Sequence, residues 1–234
     1  MMRMRPARTL VAAICFFCTS LPAQAETASA TALAVGMVWW PADPADALYA
    51  LGGDIEACLS ARIREVAPEI IVTPQRTVRD MLFPLLEPAT QPATEAGFAA
   101  LLAREEVRAR LTRHGLQYLI VFSGGTLKKK PGGFILCGAG YGGGGCLGFS
   151  WQGETTALDA ALWSLDDGVR IRREDVKIEG TFVMPAFILP IPIPARTKAQ
   201  ACHELGSQIA RAIRQTAAEQ AVKPQEPESA RQRE

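Results

Sequence analysis

The stretch that most constrains this chain runs from Lys128 to Trp151, KKKPGGFILCGAGYGGGGCLGFSW. Nine of the seventeen residues from Gly132 to Gly148 are glycine, and Cys137 and Cys146 bracket the densest run. Ordering a glycine costs roughly 0.5–1 kcal/mol more than ordering an alanine. The stretch therefore reads as a glycine-rich loop that something must tie down. A Cys137–Cys146 disulfide is the natural tie, and closing so short a loop contributes about 2–3 kcal/mol in the loop-entropy picture.

Disulfides need an oxidising compartment, and the start of the chain points to one. Arg3, Arg5 and Arg8 precede an apolar run from Thr9 to Leu21, and Pro22 to Ala25 ends in an A-x-A site. That order predicts a secretory signal peptide over residues 1–25 and a short linker over 26–31. The apolar run is shorter than the roughly 20 residues that span a bilayer, so it reads as removed. Cys15 and Cys18 raise the alternative of a lipoprotein, but Ile14 and Phe17 stand where a small residue is wanted. The expectation is an exported, periplasmic, envelope-associated protein with no transmembrane helix in its mature chain. Losing 1–25 removes three arginines and no acid, leaving 22 basic against 24 acidic residues. A net charge of −2 gives no nucleic-acid footprint.

Four cysteines remain, and three pairings are possible. Cys58–Cys202 is the complement of Cys137–Cys146; the competing reading is that Cys58 and Cys202 are small buried apolar residues.

Residues 32–222 read as one domain. Ala32–Trp40 suits a first strand. Asp43 and Pro44 suit a helix start, and Leu48, Leu51, Ile55, Cys58, Leu59, Ile63 and Val66 recur at helical spacing up to Pro68. Glu69–Thr73 is a short buried strand and Pro74 opens a brief helix. Thr94 caps the next helix, whose apolar phase slips near Arg104, and Gly115 closes it in the left-handed region. Leu116–Ser123 is an apolar run suited to mid-sheet. Thr155–Leu165 and Val169–Met184 form a hairpin turned by Asp166-Asp167-Gly168, with a bulge expected between Arg172 and Asp175 from a change of apolar parity. The prolines at 190, 192 and 194 make Phe187–Ala195 an extended connector or edge. Thr197–Gln200 is a capping box opening a final helix, and 223–234 is a polar tail. The fold class is α/β (α+β): a mixed β-sheet with helices packed on it, a C-terminal helix and a glycine-rich loop.

Motifs for catalysis are weak. Gly138–Gly143 matches G-x-G-x-x-G, but no helix follows to meet a pyrophosphate. Ser150 lacks the last glycine of a nucleophile elbow, because Gln152 stands there. His114 and His203 are the only histidines, and the cysteine spacings do not suit zinc. No cofactor, metal site or acid–base pair is expected. Lys128, Lys129 and Lys130 read as a solvated tip or as a contact for anionic lipid. Tyr141, Phe149, Trp151, Phe187 and Ile191 are the candidate contact residues.

The layout from about Ala32 to Ala221 resembles exported bacterial α/β envelope proteins of the TolB amino-terminal-domain type, a group that includes the curli-secretion and penicillin-binding-protein-activator lipoproteins. The resemblance rests on the first strand, the amphipathic Asp46–Val66 helix, EIIVT with Arg76 and Asp80 after it, GLQYLIVFSGGT, the Asp-Gly hairpin and the closing helix. It implies a non-enzymatic domain that docks on an envelope protein, with peripheral membrane contact as a further possibility. Two alternatives stay open: a hydrolase or transferase whose glycine-rich loop cradles an anion, and a structural envelope component without a discrete site.

Overall fold

A computed structural model describes residues 32–40, 52–87, 89–140 and 143–222. The leader, the linker, Asp43 and Pro44, Tyr141 and the 223–234 tail lie outside them. The described residues belong to one compact unit.

The elements follow the expected order. β1 (Leu33–Trp39) leads to α1 (Gly52–Val66), β2 (Ile70–Thr73), α2 (Gln75–Met81), α3 (Glu95–Leu102) and α4 (Glu105–Thr112). Then come β3 (Tyr118–Lys128), β4 (Gly132–Gly140), β5 (Gly143–Ser164), β6 (Arg170–Pro190) and α5 (Thr197–Val222). β2, β1 and β3 are parallel neighbours. β5 is antiparallel to β3 on one edge and to β6 on the other.

Alternation along the strands builds a core on each face of the sheet. Val35, Met37, Tyr118, Ile120, Leu158 and Leu162 point toward α1 and α5, where Ile55, Leu59, Ile63, Leu205, Ile209 and Ile213 cover them. Val38, Leu119, Ala161 and Trp163 point the other way, onto Val78, Leu82, Phe98, Leu102 and Leu111 of α2–α4 and their connections. Cys58 and Cys202 are bonded, with Cα atoms 6.3 Å apart, joining the two helices of the first layer.

Local signals act as their chemistry requires. Thr94 Oγ1 accepts from the Gly97 amide at 3.1 Å. The phase slip divides α3 from α4 at Ala103 and Arg104. Gly115 has φ 81° and Gly168, in the hairpin turn, φ 73°.

Four expectations need correction or refinement. The glycine-rich loop is a hairpin: Gly132–Gly140 pairs residue for residue with Gly143–Trp151. Ladder hydrogen bonds on both edges of β5 supply the order that side chains do not. The bulge is at Ile171, since Arg170 pairs with Trp163 and Arg172 with Leu162. Ile171 still packs on the first core, so parity changes at it rather than after it. Of the two readings of Phe187–Ala195, the edge holds as far as Pro190, where β6 ends, and the connector only beyond it. Finally, Thr197 is helical, and its hydroxyl accepts from Thr156 at 2.9 Å instead of capping.

The Cys58–Cys202 bridge spans 144 residues of sequence. Cys58→Ala/Cys202→Ala is expected to lose about 4–5 kcal/mol through a freer unfolded chain, seen as a Tm roughly 10–20 °C lower. A Tm within a few degrees of the parent would show that the bridge does not constrain the unfolded state.

Candidate docking surface

β5 and β6 are longer than the core needs. Residues 154–164 of β5 pair with β3 inside the layered fold. Residues 143–151 pair instead with β4, and residues 146–153 also with 181–188 of β6. The result is a three-stranded arm, β4–β5–β6.

Register decides what the arm displays. Phe134 faces Phe149, Leu136 faces Leu147, and Leu147 faces Phe187 across the next ladder. These residues and Trp151 share one face; Leu189 follows just beyond the paired part of β6. All are exposed: Phe187 is 79 % accessible, Leu136 70 % and Phe134 69 %. Leu127 of β3, opposite Thr155, extends the face toward the core. Contiguous apolar patches of this kind mark sites of association.

Glycine has a specific task at two positions. Gly132 lies opposite Trp151, and a Cβ there would meet the indole ring at 2.5 Å from Cε2. Its absence lets the ring lie across the strand, 5.7 Å from the Phe149 ring. Gly148 has φ 147°, a conformation side chains avoid, and its missing Cβ would run into the Phe134 carbonyl and Ile135 Cα.

The opposite face carries the Cys137–Cys146 bond, a directly opposed pair with Cα atoms 4.0 Å apart. Ala186 is buried against this half of the ribbon, and Ile188 is exposed. At the β6 edge the chain turns back. Ile193 exchanges two backbone hydrogen bonds with Val183, and the Ile191 amide donates to the Pro185 carbonyl at 2.9 Å. Pro192 and Pro194 offer no amide on the outer side. Among the described residues nothing pairs with the outer edge of β4.

At the base of the arm, Lys128 Nζ is 3.6 Å from Glu154 Oε1. Lys129 packs on Gly153. Lys177, bonded to Glu179 and reinforced by Lys129, holds the Glu179 carboxyl below the ordinary carboxylate range.

The expected contact residues thus divide. Phe149, Trp151 and Phe187 come together on one face; Ile191 is exposed beyond the end of β6; Tyr141 is outside the described residues. Sequence reading missed Phe134, Leu136, Leu147 and Leu189. Pairing Cys137 with Cys146 as neighbours on two strands would have set the register and found the first three.

A second hollow, about 160 Å³, is lined by Trp40, Phe98, Ser123 and Trp163 beside Asp159 and Arg173. Arg173 bonds Asp159 at 2.7 Å and Glu95 at 3.1 Å, so its carboxylates are already engaged. The two histidines are elsewhere: His114 is exposed beyond α4, and His203 is on α5, 4.0 Å from Glu65. The glycine-rich amides that an anion cradle would use lie within the hairpin ladder. Among the described residues no helix is long and apolar enough to cross a membrane.

No family profile and no curated protein matches the chain. Among solved structures it is similar to a PelC dodecamer from Paraburkholderia phytofirmans, at 5 % identity over 79 % of this chain and 88 % of that one, with TM-score 0.37. It is also similar to lipoprotein GNA1162 from Neisseria meningitidis, at 12 % identity over 80 % of this chain and 99 % of that one, TM-score 0.38. The hypothetical protein CT253 from Chlamydia trachomatis matches at 8 % identity over 79 % and 95 %, TM-score 0.38. Likeness at this level decides nothing about function.

Cys137→Ser/Cys146→Ser is expected to loosen the arm and spare the layered core. Amide exchange should rise in 132–151, while Tm falls by the equivalent of about 2–3 kcal/mol or less. Faster exchange spread equally over α1 and α5 would show that arm and core do not unfold separately.

Proposed function

We propose that this is a non-enzymatic protein of the bacterial cell envelope, exported to the periplasm, that docks on an envelope partner through the β4–β5–β6 arm. The carrying observation is the single-faced row of exposed large apolar residues on an arm outside the layered core. A row that stays open to water costs free energy that contact with a partner recovers. The two disulfides suit an oxidising compartment. The basic and apolar start of the chain suits export, and a docking role is what the sequence resemblance to TolB-type domains implies.

A photoreactive phenylalanine analogue placed at Phe134 or Phe187 in living cells tests this reading. Crosslinks to an envelope component, protein or lipid, are expected from both positions. Arg211, exposed on α5, serves as the control and should give none. Crosslinks from Arg211 alone, or from no position, would remove the arm as the docking surface.

A further inference from the structure

What covers the apolar face is written in the charges around it. Residues 131–153 and 180–195 contain no Asp, Glu, Lys or Arg, in a chain that is 21 % charged. The change is abrupt along one face of β6. The residues of one parity read Arg173, Asp175, Lys177 and Glu179 in the core half, then Thr181, Val183, Pro185 and Phe187 in the arm. The core half of that face is made for water and the arm half is not. The other face of the arm is also largely apolar; beside Ser150 and Gln152 it carries Ile135, the disulfide, Phe182, Met184, Ala186 and Ile188. A sheet with one solvated face shows alternation of polar and apolar positions.

Around the base stand five cations, Lys128, Lys129, Lys130, Lys177 and Arg196, against two carboxylates, Glu154 and Glu179. Arg196 belongs to this collar because its neighbours Ala195 and Thr197 pack on Gly180, where the charge-free segment of β6 begins. Trp151, opposite Gly132, and Phe182, opposite Gln152, lie at the lysine end of the arm, in the place where aromatic side chains sit at a membrane–water boundary.

We propose that the occupant of this face is the surface of an anionic lipid bilayer: the arm lies apolar side down at the headgroup boundary, and the collar engages the headgroups. The inference rests on the docking role proposed above and names its partner. The outer edge of β4, unpaired among the described residues, sets the depth. An open sheet edge does not occur in the hydrocarbon region, so the arm lies in the interface rather than crossing it, at a depth of roughly 5–10 Å. A second copy is a poorer occupant, because it brings a collar of the same sign.

The test uses the chain from Glu26, which holds all the described residues, and vesicles of phosphatidylcholine with or without phosphatidylglycerol. Cosedimentation is expected with the anionic vesicles and little with the neutral ones. Lys128→Gln/Lys129→Gln/Lys130→Gln should weaken anionic binding by roughly a hundredfold or somewhat more, given about 1 kcal/mol per cation near such a surface. Phe149→Ser/Phe187→Ser should abolish it with an unchanged circular dichroism spectrum. Trp151→Phe should bind but lose the lipid-induced blue shift of tryptophan emission. No binding to anionic vesicles, or binding that ignores Phe149→Ser/Phe187→Ser, overturns the inference. If cell crosslinks from the arm reach only a protein and vesicles are ignored, docking stands and the lipid occupant falls. A dimer dissolved by Phe149→Ser/Phe187→Ser, again without vesicle binding, assigns the face to a second copy. Failure of crosslinks and vesicles together removes both readings.

Discussion

The two-sided pairing of β5 is the interaction on which the rest depends. A strand of 22 residues is stable at that length only if its amides and carbonyls are met along both edges. β3 and then β4 meet one edge in succession, and β6 meets the other from Cys146 to Trp163. One half of the strand is thereby welded into a conventional layered core. The other half inherits its geometry from that core without any helix of its own to cover it. The arm is an extension of the sheet, and its direction and facing are fixed by residues far from its tip.

The same continuity explains why glycine is tolerated here. A glycine-rich segment in isolation has too many conformations to order. In the arm its two halves are laddered to each other, β6 pairs the second half from Cys146 onward, and the Cys137–Cys146 bond ties the two together. The backbone bonds order it, and the absence of side chains at Gly132 and Gly148 makes room for the Trp151 ring and for the neighbouring strand.

Much of the layered fold was legible because short-range chemistry decides it. The Ile55–Leu59–Ile63 spacing, the Thr94 cap, the phase slip at Arg104 and Gly168 in its turn each specify structure within a few residues. The arm was less legible because its order comes from across the ladder. Composition alone made Gly132–Gly148 a loop, and propensity cannot register a partner strand some forty residues away. Phe149, Trp151 and Phe187 could be noticed as apolar residues near glycine. That they share a face with Phe134 and Leu136 depends on register, which no single segment contains. Thr197 shows the reverse: a good capping pattern gave way to a hydroxyl contact with Thr156.

The two long edges of the arm differ, and the difference limits stoichiometry. On the β6 side the returning segment occupies the hydrogen-bonding groups of Val183 and Pro185 and turns prolines outward. On the β4 side the edge is open among the described residues. Growth of a continuous sheet from molecule to molecule needs two receptive edges per copy. With one edge blunted, strand-to-strand addition ends when two open edges meet. Between arms, then, edge pairing joins two molecules and goes no further.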